Sequence, residues 1–244
     1  MKIAVLSDIH GNIAALDAVL AHAGKLEVDV TVNLGDICSG ALWPRETADR
    51  LMALDLPTIR GNHERQVLDG ADDTMGLSDA HAKRTLLPDQ LGWLASLPST
   101  LRLTDDVLLV HGTPDSDLHY FLETVTEAGV RPATLEEVEE RAGAADAPLI
   151  LCGHTHVPRA VRLPGGRLIV NPGSVGLPAY DDVHPFPHAI ENLSPHARYA
   201  VVSDESGDWE ASFYMIAYDW EQAARDADAN DRQDWAKALR TGTA

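Results

Sequence analysis

Short apolar runs alternate with amphipathic stretches at the start of the chain. "KIAVL" (2–6) reads as a buried strand. "NIAALDAVLAHAGK" (12–25) sets Ile13, Leu16, Val19, Leu20 and Ala23 at helical spacing behind a candidate N-cap, Asn12. "VDVTVNLG" is a second strand, "RETADRLMALD" a helix and "PTIRG" a third strand. This β-α-β-α-β order predicts a layered α/β fold with some parallel strands.

Further along, the pattern changes to paired strands around turns. "STLRLTDDVLLVHG" turns at Asp105-Asp106, "RAVRLPGGRLIVNPG" at Pro164-Gly165-Gly166, and "ARYAVVSDESGDWEASFYMIAY" at Glu205-Ser206-Gly207. A second, largely antiparallel sheet is expected from them. "TLEEVEERAGA" is helical, with Thr134 and Glu137 forming a capping box. The segment 219–240 reads as one acidic helix with a sparse stripe of Trp220, Ala224, Ala227 and Trp235. The proline-rich stretch 176–197 reads as a long ordered loop, with His184 and His188 as candidates to line a lid. No repeat or linker interrupts the pattern, so 1–244 is read as a single domain.

Composition narrows the function classes. With 38 acidic and 19 basic residues the net charge is −19, which argues against a nucleic-acid polymer or an anionic membrane as partner. Cys38 and Cys152 make no disulfide framework and fit a reducing compartment. Asp8 interrupts the first apolar run too early for a secretory segment, and no run is long enough to span a bilayer. The cytoplasm is the expected location.

Chemistry concentrates where the strands end, which is where α/β proteins build sites. The first strand is followed by Asp8 and His10, the second by Asp36, and the third by Asn62, His63 and Glu64. "VLLV" is followed by His111, and "LILCG" by His154 and His156. Residues two apart on an extended segment face the same side, so each D-x-H or H-x-H pair converges on one spot. Carboxylate, amide and imidazole together suit manganese, iron, zinc or nickel better than magnesium, calcium or a thiolate-bound structural zinc. Asp8, His10, Asp36, Asn62, His111, His154 and His156 exceed what one ion takes. They would serve two ions if one carboxylate bridges.

The blocks "SDIHGN", "LGDICSG", "RGNHE", "LVHG" and "CGHTH" resemble, in order, those of the calcineurin-like metallophosphoesterases. The trailing "VNPGSVG" is similar to the bacterial predicted-phosphodiesterase branch. The resemblance implies an α/β sandwich of two mixed β-sheets flanked by helices. It implies two divalent ions per chain, manganese being the choice for assay. Asp8, His10 and His156 would hold the first, Asn62, His111 and His154 the second, with Asp36 shared. His63 would protonate the leaving group while a hydroxide bridging the metals attacks phosphorus directly. The implied substrates are small phosphodiesters or nucleotide-like esters, with a phosphomonoesterase as the alternative.

Departures from the wider family also inform. The protein Ser/Thr phosphatase branch carries G-D-x-x-D-R-G, where this chain has "GDICSG". Ser39 replaces the aspartate that orients the histidine, and Gly40 replaces a phosphate-binding arginine. Asn12 and Arg60 remain candidate substrate contacts, and "NPGS" (171–174) is either a phosphate cradle or a tight turn. Cys38 and Cys152 are read as small buried residues rather than ligands. A non-catalytic scaffold, as in the retromer subunit of this fold, has no need of His63. A metallo-β-lactamase-type hydrolase would need an H-x-H-x-D-H block, which is missing.

Overall fold

The computed structural model describes residues 1–71 and 75–244. The first half runs β1 (Lys2–Leu6), α1 (Ile13–Ala23), β2 (Val30–Asn33), α2 (Pro44–Leu54), α3 (Asn62–Asp69), α4 (Leu77–Thr85) and α5 (Pro88–Ser96). Next come β3 (Leu101–Thr104), β4 (Val107–Leu109), β5 (Glu123–Thr126), β6 (Gly129–Pro132), α6 (Leu135–Ala142), β7 (Leu149–Leu151), β8 (Arg159–Arg162) and β9 (Leu168–Asn171). The chain closes with β10 (Ala179–Asp182), β11 (His188–Glu191), β12 (Ala197–Ser203), β13 (Glu210–Ile216), α7 (Trp220–Ala229) and α8 (Gln233–Thr241).

Two sheets face each other, in the orders β13-β12-β1-β2 and β3-β4-β7-β9-β8. Alternation along each strand builds the layers. Ile3 and Val5 of β1 meet Leu149 and Leu151 of β7 in the core between the sheets. Ala4 and Leu6 face outward onto Leu16 and Val19 of α1. On the far side, Ile150 and Ile169 pack against Val138 of α6. The helix starts follow the sequence: Asn12 Oδ1 accepts from Ala15 N, and Thr134 and Glu137 close their capping box.

Five expectations are corrected. The second sheet is evenly mixed, with β4–β7 and β7–β9 parallel and β3–β4 and β8–β9 antiparallel. The last hairpin, β12–β13, joins the first sheet instead, through β12 against β1. "PTIRG" contributes a single parallel bridge, Asn33 to Thr58. Pro57 has no N–H to extend the ladder, and Arg60 N turns away to Pro98 O.

The stretch 176–197 is no loop but contains the antiparallel β10–β11 hairpin. Its prolines, at 178, 185, 187 and 195, fall outside both strands and mark their ends. The expected single acidic helix is two, α7 and α8, broken at Asn230 and Asp231. Asp231 has a left-handed φ of 58°, a conformation Asp tolerates better than most residues. Asn230 Nδ2 donates to Ala41 O, anchoring the break. Ala224, Ala227, Trp235 and Leu239 then pack on Leu42 and Leu177. Among the described residues no helix is long and apolar enough to cross a membrane.

Candidate metal centre

All seven expected ligands come together at the C-terminal ends of the parallel strands. Asp8 and His10 follow β1, Asp36 follows β2, His111 follows β4, and His154 and His156 follow β7. Five of them hold left-handed backbone: Asp8 (φ 56°), His10 (52°), Asp36 (54°), His154 (71°) and His156 (60°). Each such residue costs about 1 kcal/mol or more. Backbone bonds across the loops enforce it, among them Asp8 N to Gly35 O, His10 N to Asp36 O and Gly153 N to His111 O. Gly61 makes the close approach possible, since a Cβ there would lie 2.2 Å from Asp36 Oδ1 and 2.7 Å from His111 Cε1.

The residues form two groups, Asp8–His10–His156 and Asp36–His111–His154, and the ligand atoms within each lie within 4.8 Å of one another. Asn62 Oδ1 sits 3.1 Å from His111 Nε2 and joins the second group. Each imidazole has one nitrogen bonded to a main-chain carbonyl. His10 Nδ1 donates to Ser39 O, His111 Nδ1 to Leu34 O and His156 Nδ1 to Leu177 O, while His154 uses Nε2 on Leu118 O. Carbonyls only accept, so these nitrogens carry the hydrogens and the others offer lone pairs to the cluster.

The Nε2 atoms of His10 and His156 are 3.1 Å apart. Two lone pairs at that distance repel unless a cation lies between them. The donor set fits a divalent cation in each group, with nitrogen and oxygen ligands and no thiolate.

The electrostatics agree for two of the imidazoles. Burial, helped by His156, pulls His10 down to about 4. Burial and His111 do the same to His154, also to about 4. Both are therefore neutral at pH 7, the form that ligates. Burial opposes a charge on His111, yet Asp36 draws it up to about 10, so this ring must release a proton before it can ligate. Asp36 stays ionised far below the usual carboxylate range, because His111 and His63 outweigh its burial.

His63 is held apart from both groups. Its backbone N donates to Asp36 Oδ1 at 3.0 Å, while its ring Nδ1 lies 2.7 Å from Asp79 Oδ1. Ser39 Oγ donates to the same carboxylate oxygen at 2.6 Å. Asp79, in the first turn of α4, is thus the orienting carboxylate missing at position 39, and Ser39 steadies it. Burial works against the imidazolium, but Asp36, Asp79 and Glu64 together hold His63 up to about 9. Glu64 also pins the Asp36 loop to α3, because its carboxylate accepts from the backbone N of Asp36, Ile37 and Gly61.

Several candidates prove to be scaffold. Asn12 is fully buried; its Oδ1 caps α1, and its Nδ2 donates to Gly176 O and Tyr218 OH, leaving no group for substrate. Arg60 is half-buried and lies outside the lining of the cleft over the metal ligands. "NPGS" is a brace. Asn171 Nδ2 donates to Gly153 O, and Ser174 Oγ to Asp8 O, tying the two ligand loops together. Cys38 and Cys152 belong to neither ligand group, and burial raises both thiols.

Of the two lid histidines, His184 lines the cleft from an exposed turn, whereas His188 is buried behind Tyr120 OH at 3.1 Å. Two aromatic residues at the site are Tyr180 and Tyr120, with ring centroids 4.7 Å from His156 and 5.1 Å from His154, and their hydroxyls are 2.6 Å apart. The cleft has a volume of about 930 Å³, and residues at the start of α8 also line it.

Similarity to known proteins agrees with this geometry. The chain is 24% identical over 256 aligned positions to the uncharacterised protein MJ0912 of Methanocaldococcus jannaschii, covering 96% of this chain and 94% of that protein. Its fold is similar to that of a metallophosphoesterase from Sphaerobacter thermophilus, with a TM-score of 0.75, 24% identity and 98% of each chain covered. It is similar also to hypothetical protein PH1004 of Pyrococcus horikoshii OT3, with a TM-score of 0.79, 20% identity, and 99% and 98% of the two chains covered. A family model described as the calcineurin-like phosphoesterase superfamily domain matches residues 1–187. With the strand-end ligands in place and most of its length matched, the chain belongs to the calcineurin-like phosphoesterases, hydrolases that act on ester bonds.

Proposed function

We propose that the chain hydrolyses small phosphodiesters or nucleotide-like esters with two divalent cations. Asp8, His10 and His156 hold one cation, Asn62, His111 and His154 the other, and Asp36 is shared. The carrying observation is the four imidazoles, each with one nitrogen tied to a carbonyl and the other turned inward. When bound, such cations polarise phosphate oxygens and supply water acidic enough to ionise near neutral pH. His63, held on Nδ1 by Asp79, presents Nε2 as the acid for the departing oxygen. Ser39 is engaged with Asp79 and both thiols are buried and protonated, so hydrolysis is direct rather than through a covalent enzyme intermediate.

A diester carries one negative charge fewer than a monoester, so two cations balance it without an arginine at position 40. Where the departing oxygen is an alkoxide, the acid His63 is worth having. Net charge of −19 favours small esters over nucleic-acid polymers. The two free, buried cysteines fit action in the cytoplasm.

The test compares kcat/KM under saturating manganese for bis-nitrophenyl phosphate and a phosphoserine peptide. Measurable diester hydrolysis with little peptide dephosphorylation is expected. A clear preference for the phosphopeptide would overturn the reading.

A further inference from the structure

The C-terminal helices meet the cleft beside His63. A Cβ at Gly40 would come within 2.8 Å of Trp235 Cη2, so the indole occupies the space beside the residue that replaces an arginine in the protein phosphatases. The Trp235 ring packs edge-on to His10 at 6.0 Å between centroids, and the Arg232 guanidinium lies 5.5 Å from the same indole. Asp234 fixes this guanidinium through Nε at 2.9 Å and Nη2 at 2.6 Å, and Nη1 donates to Ser78 Oγ at 2.9 Å. Ser78 precedes Asp79, which holds His63. Arg232 lines the cleft with its side chain only 14% exposed, and lies beyond the residues matched by the family model.

We propose that Arg232 binds a second anionic group on the leaving-group side of the substrate. This deepens, and rests on, the phosphodiesterase reading above. The guanidinium has five N–H groups, of which the three bonds named use three, leaving two for a ligand. Carboxylate fork and indole fix its plane before any ligand arrives, a preorganised arrangement for phosphate oxygens. The reacting phosphorus belongs at the metal ligands, and the departing oxygen at His63. A cation linked to His63 through Ser78 and Asp79 is therefore placed for whatever the leaving group carries. The substrate class is an ester or anhydride whose leaving group is itself phosphorylated, such as a dinucleoside pyrophosphate. Water attacks one phosphorus, the P–O bond to the bridging oxygen breaks, and the nucleoside monophosphate leaves with the bond's electron pair.

Manganese-loaded wild type, Arg232→Gln and Arg232→Lys should be compared on two substrates sharing one nucleoside. These are dithymidine pyrophosphate and thymidine 5′-(4-nitrophenyl phosphate), whose leaving group has no second anion. Binding of imidodiphosphate, measured by calorimetry, gives a readout independent of turnover, and melting curves check the fold. Arg232→Gln should lower kcat/KM for the pyrophosphate about 10–100-fold, the range of a charged hydrogen-bond pair. That loss should exceed its loss on the nitrophenyl ester at least tenfold, with imidodiphosphate affinity falling in parallel. Arg232→Lys, keeping the charge without the fork, should lie between.

Equal losses on both substrates, or an unchanged imidodiphosphate affinity in a folded Arg232→Gln protein, overturn the assignment. So does a larger loss on a phosphomonoester, which would put Arg232 on the reacting phosphate. If wild type cleaves neither substrate the phosphodiesterase reading fails, while the calorimetric arm still decides Arg232.

Discussion

His63 and Asp79 are sixteen positions apart, and Ser39 and Asp79 forty. No local spacing in the sequence announces their contact; the packing of α4 makes it. The seven candidate metal ligands are legible because six follow strands and Asn62 follows the single bridge, and these ends converge in an α/β fold. Asn12 shows the reverse error. Its N-cap role is visible in the sequence, but the partners that use up its amide, Gly176 and Tyr218, are brought in by tertiary structure.

In its proposed role His63 would give turnover a pH dependence. It would have to be protonated to act as the acid, so turnover should fall as pH rises through its pKa. Burial opposes that proton, and Asp36 and Asp79 are the leading contributions that favour it. A cation bound by Asp36 offsets the first, leaving Asp79 as the main support. Asp79→Asn should therefore move the alkaline fall of kcat to lower pH and reduce kcat about 10-fold or more. In a His63→Ala background the same change should cost almost nothing. An unshifted profile, or full additivity of the two losses, removes Asp79 from the relay.

The paired strands are legible from alternation and turn residues, because a hairpin needs only local chemistry. What stays hidden is assignment. Nothing local tells β12 to pair with β1 across the chain, whereas the limit of 57–60 to one bridge is already signalled by Pro57. The β10–β11 hairpin is disguised by its prolines, which mark strand ends as readily as they mark loops. Asn230 and Asp231, where one helix becomes two, read equally well as part of the acidic stripe.

One element sensitive to a small change is the start of α3, where Gly61 lies against Asp36 and His111. Gly61→Ala would put a methyl group 2.2 Å from Asp36 Oδ1, forcing backbone or ligand to shift. Overpacking of this kind costs about 1–3 kcal/mol. A lower melting temperature and weaker metal affinity are expected together, by thermal denaturation and metal titration. A variant with wild-type values for both would show that the close approach does not constrain the site.

On the scale of the whole molecule, two mixed sheets pack face to face. Their parallel strands end together, so side chains from four strand ends and the start of α3 meet in one cleft. The layered α/β order is readable from the alternation of strands and helices, whereas the two-sheet sandwich is what the family resemblance implies. The C-terminal helices are expected from sequence only as packing, and nothing in their acidic pattern marks the residues that reach the cleft.

At the centre of the molecule, the strand-end ligands are held to bind two divalent cations joined by Asp36. Calorimetric titration of manganese into chelator-stripped protein tests this most directly. Two ions per chain are expected, with Asp36→Asn weakening both. Saturation at one ion, or an Asp36→Asn protein that loses one site and keeps the other at full strength, would contradict it.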